Sequence, residues 1–193
     1  MQSLVLLVVL MGAVVAIAWL VLNPHPPTFR LDSLSLSGLP NASDISSPPL
    51  KLHIRILLTA SNPNKKLALA IQDVDLFVAL FQHGHRLPLS SHNDTLPSEN
   101  YISKRGHRAL TVVAEAGLPP GRGRRMKRLY QFTQGSAVML VRMKVTVKFM
   151  HGYWPSKQAT VKVGCGHLTI GISPSTQTGE LKEGGKDCRA GFA

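Results

Sequence analysis

The chain has 193 residues, and its 22 lysines and arginines against 10 aspartates and glutamates give a formal net charge of +12. With about 20 residues set aside, this length has room for one ordinary domain, whose sizeable core needs neither a metal ion nor several disulfides. The basic balance favours acidic lipid headgroups, anionic polysaccharides or nucleic acid as partners, and it does not choose among them.

The first predicted element is a membrane helix. The run from Leu4 to Leu22 carries no charge. As a helix it would be about 28 Å long, close to the hydrocarbon thickness of a bilayer. We predict that residues 1–22 form a transmembrane anchor, with Trp19 near the headgroups. There are two alternatives. The segment could be a cleaved signal peptide, since Ala16 to Ala18 resembles a cleavage site, or it could be a buried helix of a soluble protein.

The next segment, residues 23–28, is rich in proline and predicts an extended spacer that lifts the following domain off the membrane. Beyond it, apolar and polar residues alternate as in strands with one buried face. The predicted strands cover residues 29–36, 50–58, 67–80, 109–114, 141–149, 159–163 and 168–172. The alternation changes phase within 29–36 and within 67–80, which indicates a bulge or a break in each.

About seven short strands with turn signals between them predict an all-β fold, a β-sandwich over residues 29–173. Residues 127–133 are a candidate for a short helix. Residues 174–193 are rich in Gly, Ser, Thr and Lys, so we expect a flexible C-terminal tail.

The sequence Asn62-Pro63-Asn64 separates two predicted strands. A residue before proline avoids the helical region, and asparagine side chains stabilise turns. We predict a structural turn that reverses the chain and leaves Lys65 and Lys66 exposed at a loop tip. Direct contact with a ligand is the alternative.

Two cysteines bear on the compartment. Cys165 continues the inward parity of its strand, and Cys188 lies in the polar C-terminal segment. In an oxidising compartment they would form a disulfide that closes a loop of about 23 residues, worth about 3 kcal/mol in the chain-entropy model. A buried free thiol at Cys165 is the alternative. Their spacing does not fit a zinc site.

The side of the membrane is indicated by several weak signals. Asn41 and Asn93 begin triplets of the N-glycosylation type, which together with the cysteines favour an exterior domain. If all basic residues of this domain are counted, the positive-inside rule favours a domain in the cytosol.

A basic run lies in a glycine-rich stretch and is either a solvated loop or an anion-binding patch. It comprises Arg122, Arg124, Arg125, Lys127 and Arg128. No aromatic platform for stacking bases accompanies it, which argues against nucleic acid.

Catalysis and metal binding receive little support. No common hydrolase, zinc-protease or phosphate-loop motif is present. His83, His85, His92 and His107 are interpreted as loop histidines, since a metal site needs convergent ligands. Asp73 and Asp75 project from one strand face without other catalytic groups near them in sequence. We expect neither a catalytic residue, nor a cofactor, nor a metal; a secreted hydrolase is the weakest alternative.

Three stretches follow one another after the apolar run and the proline-rich spacer: TFRLDSLSLSGL, then LHIRILLTASNPNKKLALAIQDVDLFVALFQHGHRLP, then VRMKVTVKFMHGYWPSKQATVKVGCGHLTI. In this order they resemble the plant late embryogenesis abundant group 2 family, also called the non-race-specific-disease-resistance and harpin-induced-like family. The most specific part is Asn62 to Lys65 between two strands, and the segment around Cys165 is next. The resemblance covers nearly the whole chain up to Ile172.

This resemblance implies a fibronectin-type-III-like β-sandwich with no enzymatic activity and no cofactor. It implies a single-pass plasma-membrane protein with an apoplastic domain and a role in defence or abiotic stress; some relatives occur at plasmodesmata. Similar proteins often carry a C-terminal cysteine that would pair with Cys165, a position that Cys188 fits. We expect a protein that binds a protein or cell-wall partner. The alternative is a peripheral binder of anionic lipid headgroups or cell-wall polysaccharide through the basic run.

Overall fold

The computed structural model describes residues 2–21, 23–39, 51–82, 85–90, 101–117, 135–152, 154–173 and 175–193. These residues form an N-terminal helix followed by an antiparallel all-β domain. The helix is α1 (Gln2–Val21). The strands are β1 (Thr28–Ser37), β2 (Lys51–Ser61), β3 (Ala68–Gln82), β4 (His85–Ser90), β5 (Tyr101–Ile102), β6 (His107–Gly117), β7 (Gly135–His151), β8 (Trp154–Ser173), β9 (Thr178–Leu181) and β10 (Lys186–Phe192).

The helix α1 has 20 residues and no charged side chain. The side chains of residues 3–17 are exposed, with large apolar groups such as Leu4 and Val15 open to the surroundings. Within the described part of the chain, no helix is both long enough and apolar enough to cross a membrane. The helix expected at the N-terminus is therefore present, whereas the transmembrane anchor predicted for residues 1–22 is not confirmed.

The strands form one hydrogen-bonded path in the order β4-β3-β7-β8-β10-β1-β2-β6, with β5 beside β3 and β9 beside β1 and β8. β10 lies in the middle of this path, between β8 and β1. We call β3, β7 and β8 the first half of the sheet, and β1, β2 and β6 the second half. β4 and β6, from the two ends of the path, contact each other. The described buried side chains of both halves pack into a common core.

The predicted alternation agrees with the observed burial. The inward set of β7 is buried from Val141 to Phe149, and Arg142 and Lys144 on the same strand are exposed. The two phase changes are real bulges. The pairing of β1 with β2 shifts between Leu31 and Ser33, and the pairing of β3 with β7 shifts between Ile71 and Asp73. An extra residue in each strand keeps the apolar side chains on the core side.

Asn62-Pro63-Asn64 is more than a hairpin turn. β2 pairs with β1 and β6, whereas β3 pairs with β4, β5 and β7, so this loop carries the chain from the second half of the sheet to the first. Asn62 and Asn64 are buried, while Lys65 and Lys66 are exposed as predicted. The predicted turn is therefore a connection between two strands that do not pair with each other.

Two other expectations need correction. Ten strands are present among the described residues, more than the seven predicted, and the segments 159–163 and 168–172 belong to the continuous strand β8. The segment 174–193, expected as a flexible tail, contributes β9 and β10. The prediction failed because β10 is held by backbone hydrogen bonds to strands on both sides, and these leave little trace in side-chain composition.

The proline-rich spacer is docked on the domain. His25 donates its backbone N–H to Asn64 Oδ1 at 2.8 Å, and its carbonyl accepts from Asn64 Nδ2 at 2.9 Å. Pro27 is buried, and β1 begins at the next residue. The chain is therefore fixed to the sheet before its first strand begins.

Candidate functional site

A groove of about 800 Å³ lies on the outer face of β3, β7, β8 and β10. We call it the basic groove. Its charged lining residues are Asp75, Arg142, Lys144, Lys162, Lys186, Asp187 and Arg189. Five of these side chains are basic and two are acidic, so the groove carries a local excess of positive charge.

The strand registers place two arginines on either side of a glycine. Gly164 of β8 lies opposite Arg142 of β7 and opposite Arg189 of β10. Because neighbouring strands are about 4.8 Å apart, the Cα atoms of the two arginines lie about 10 Å apart. A Cβ atom built on Gly164 would meet nothing within 4 Å. The glycine therefore forms an open floor between two guanidinium groups.

A second row of charges lies beside the first. Asp75 of β3 lies opposite Lys144 of β7, and Lys144 lies opposite Lys162 of β8. Like charges that face each other directly across a strand pair are destabilising. One carboxylate beside two ammonium groups leaves this row positive. An anionic ligand would relieve the repulsion between the two lysines.

One end of the groove is shaped by a bulge. The pairing of β7 with β8 shifts between Met139 and Val141, and His167 in the bulged part of β8 has φ of 56°. A non-glycine residue in this left-handed region is uncommon and stores backbone strain. Lys186 Nζ donates to the carbonyl oxygen of His167 at 3.2 Å and ties the bulge to β10. The bulge brings the exposed His167 to the groove.

Apolar groups also line the groove. They include the half-buried Phe77 and Leu140 and the buried Val163. Leu140 Cδ1 would lie 3.5 Å from a Cβ atom at Gly166, so the bulge packs closely on this side. The groove thus combines an apolar wall with cationic rows, an arrangement suited to a ligand that is itself both anionic and apolar.

The cations of the groove have few protein partners. Among the described residues, no hydrogen bond or ion pair engages the side chains of Arg142, Lys144, Lys162 or Arg189. Arg142 and Arg189 are exposed. Their positive charge is therefore available to a ligand.

A disulfide links two of the strands that form the groove, on the side of the sheet that faces the core. Cys165 and Cys188 are bonded, with their Cα atoms 4.5 Å apart. Cys165 is buried next to Gly164 in sequence, and Cys188 precedes Arg189. Neighbouring residues of a strand point to opposite faces, so the bond joins β8 to β10 on the core side of the groove. The expected disulfide is present, and a free thiol at Cys165 is excluded.

Asn62 and Asn64 form a buried polar network rather than a ligand site. Asn62 Nδ2 donates to the carbonyls of Leu67 at 2.8 Å and Ser103 at 3.0 Å. Asn62 Oδ1 accepts from the Asn64 N–H at 3.0 Å and from Asn64 Nδ2 at 2.9 Å. Since the amides find their partners within the chain, this motif serves as structural support for the loop.

Several predicted sites lie outside the described residues. The glycosylation candidates Asn41 and Asn93 and the whole basic run, Arg122, Arg124, Arg125, Lys127 and Arg128, belong to this group, as do His83, His92 and the possible helix at 127–133. His107 is described and exposed. No group of three or more His, Cys, Asp or Glu residues converges as a metal site within the described ranges.

Sequence reasoning placed Arg142, Lys144 and Lys162 on a water-facing side but did not assemble them into a site. The assembly depends on the register of β7 against β8 and on the position of β10, and it requires Arg189 of β10. The alternation of apolar and polar residues along a strand shows which face of the sheet a residue lies on. It does not show which residue of the neighbouring strand lies beside it. The spacing Gly164-Cys165-Gly166 was the available signal, since two glycines in a strand mark a bulge or a close approach.

Comparisons with known proteins find no matching family model and no matching curated protein.

Proposed function

We propose that this chain is a non-enzymatic binding protein of the plant defence or abiotic-stress response, held at the plasma membrane by residues 4–22. The proposal includes a fibronectin-type-III-like β-sandwich that faces the apoplast, in line with the resemblance described above. The antiparallel all-β sheet around a common core supports this fold. The exposed Arg142 and Arg189 of the basic groove are the observation that carries the binding role, because no hydrogen bond or ion pair among the described residues engages their side chains.

The disulfide supports the exterior location. Disulfides persist in oxidising compartments, and thiols in the cytosol are kept reduced. The bond between Cys165 and Cys188 cross-links β10 to β8, two strands that also pair through their backbones. An apoplastic domain would keep this bond oxidised throughout its life.

The membrane anchor is supported by the sequence of α1 and by its surface. The run without charged residues extends from Leu4 to Leu22, whereas the structure describes the helix side chains only for residues 3–17. Side chains such as Leu4, Val8 and Ile17 are each at least 60% exposed. Apolar groups in this number need a covering medium, and a bilayer would supply it.

The location is tested on the full-length protein in sealed plant plasma-membrane vesicles. We expect a faster band on non-reducing gels that is lost in Cys188→Ser, and protection of the domain from protease in cytosol-side-out vesicles. Digestion of the domain in those vesicles would contradict an apoplastic domain.

The binding role is tested in intact tissue. Membrane-impermeant proximity labelling from the tagged domain should recover a constant set of extracellular neighbours, and plants without the protein should respond differently to pathogen or dehydration. An unchanged response together with no enriched neighbour would contradict the proposed role. A mobility shift on deglycosylation that disappears in Asn93→Gln would independently support the exterior location.

The second candidate function is binding of anionic lipid headgroups or cell-wall polysaccharide through the basic run Arg122 to Arg128. The net charge of +12 favours it. Charge reversal at Arg124, Arg125 and Arg128 should abolish salt-sensitive binding to anionic vesicles or to polygalacturonate. Binding that is unchanged by these substitutions would remove this candidate.

A further inference from the structure

We propose that the basic groove binds an acidic peptide segment of a partner protein, one that also presents apolar side chains. This inference rests on the proposed binding role and specifies its site and the chemistry of its ligand. It concerns other residues than the basic run at Arg122 to Arg128, namely those that β3, β7, β8 and β10 contribute to the groove.

The charge of the groove indicates an anionic partner. Lys144 and Lys162 face each other directly across β7 and β8, although such like-charge pairs cost stability. Arg142 and Arg189 flank Gly164 without an ion pair among the described residues. A carboxylate bound between the rows would offset the repulsion and would gain charge-assisted hydrogen bonds from the guanidinium groups.

The shape and the apolar wall favour a peptide over other anions. A volume of about 800 Å³ is typical of a cleft that encloses a small ligand or a short segment, and a flat bilayer surface would not enter it. Polyuronate carries carboxylates but no alkyl side chains to contact the half-buried Leu140 and Phe77. Single-stranded nucleic acid needs a row of aromatic groups for stacking, and the described lining residues offer two rings, those of Phe77 and His167, which do not make such a row.

The spacing of the arginines sets the pattern expected in the peptide. In an extended segment, side chains two residues apart lie about 7 Å apart on the same side. Two glutamates or aspartates in that arrangement would reach Arg142 and Arg189, one on each side of the Gly164 floor. The next side chains on the same side would lie against Leu140 and Phe77, where apolar groups are favoured.

The test uses the full-length protein in nanodiscs of neutral lipid and fluorescence anisotropy of a labelled peptide with the repeat Glu-Ser-Glu-Ser-Leu-Ser-Phe. We expect saturable binding that weakens with salt and is lost when glutamine replaces glutamate. A peptide of the same composition with adjacent glutamates should bind more weakly, because its two carboxylates point to opposite sides.

Two variants address the groove separately. Arg142→Glu should weaken peptide binding by about tenfold, because reversal replaces an attraction by a repulsion. Gly164→Val should also weaken it, since the new side chain occupies the open floor, while valine suits a strand and keeps the domain folded. Arg55→Glu makes the same charge change on the exposed face of β2 and should leave binding unchanged.

The outcomes distinguish the site from the function. No peptide binding, or equal effects of Arg142→Glu and Arg55→Glu, would overturn the proposed site. Binding of polygalacturonate or of phosphatidylserine vesicles that is stronger than peptide binding and is lost in Gly164→Val would overturn the proposed ligand and assign the groove to that polyanion. If the groove fails in these assays while proximity labelling still recovers extracellular neighbours, the binding role stands and its surface lies elsewhere.

Discussion

The outer faces of the two halves of the sheet carry their charges in different arrangements. On the second half, Arg30 Nε lies 3.7 Å from Asp32 Oδ1, Thr59 Oγ1 donates to Asp32 Oδ2 at 2.6 Å, and His53 Nδ1 lies 3.5 Å from Glu115 Oε1. On the first half, Arg142 and Lys162 have no such partners among the described residues.

This difference separates charges that serve the fold from charges that are available to a ligand. Paired side chains on the second half satisfy one another, and each contributes a small amount to stability. The facing lysines of the first half oppose stability instead. We expect such an arrangement on a surface that binds a ligand, and the predictions below test the distinction.

The largest effect on the free energy of unfolding is expected at the disulfide between Cys165 and Cys188. Replacing Cys165 and Cys188 together by alanine should lower the free energy of unfolding by about 3 kcal/mol, because the loop between them is then unconstrained in the unfolded chain. Urea denaturation of the oxidised protein and of the variant measures this. Reductant should destabilise the wild type and leave the double variant unaffected. A variant as stable as the oxidised wild type would contradict a structural role for the bond.

The next largest effect on the free energy of unfolding is expected in the loop Asn62 to Asn64, which connects the two halves of the sheet. Asn62→Ala removes a buried amide that makes two donor and two acceptor contacts, and two of the partners left behind, Asn64 and Leu67, belong to buried residues. We expect a loss of about 2 kcal/mol in the free energy of unfolding. Pro63→Ala in the same loop is the matched control, since Pro63 is exposed. Equal losses in both variants would show that the loop conformation matters and the amide contacts do not.

A smaller effect is expected on the paired face. Asp32→Ala should cost about 1 kcal/mol, because Thr59 loses a charge-assisted hydrogen bond and Arg30 loses its neighbour. Thermal and urea unfolding of Asp32→Ala, Thr59→Val and the double variant form a mutant cycle. Additive losses would mean that this hydrogen bond contributes nothing measurable.

The smallest effect has the opposite sign. Lys162→Gln should raise the free energy of unfolding by about 0.3 kcal/mol at low salt, because the repulsion with Lys144 is removed. The gain should disappear at high salt as charges are screened. Arg55→Gln, on the face of β2, should not show this gain. A destabilised Lys162→Gln variant would mean that this lysine is paired in solution and that the contrast between the faces is false.

The sequence predicts the parts of the fold that depend on side-chain periodicity. The inward faces of β2 and β7 and the bulges near Leu31 and Ile71 follow from alternation and its phase changes. Asn62-Pro63-Asn64 was recognisable as structural, but its contact with His25 joins residues far apart in sequence and could not be predicted. β10 was missed because Lys186, Asp187 and Arg189 are polar and its place is set by backbone pairing. The basic groove was missed for the same reason, since it is complete only once β10 is in position.

The central position of β10 has a consequence for biosynthesis. Every other described strand precedes β10 along the chain, yet β10 fills the gap between β8 and β1. While the chain is being translated, those two strands have emerged from the ribosome with open edges that pair readily with other chains. The nascent domain therefore stays vulnerable to aggregation until this late segment arrives, and a premature stop before Lys186 would leave only the short β9 pairing with both β1 and β8 among the described strands.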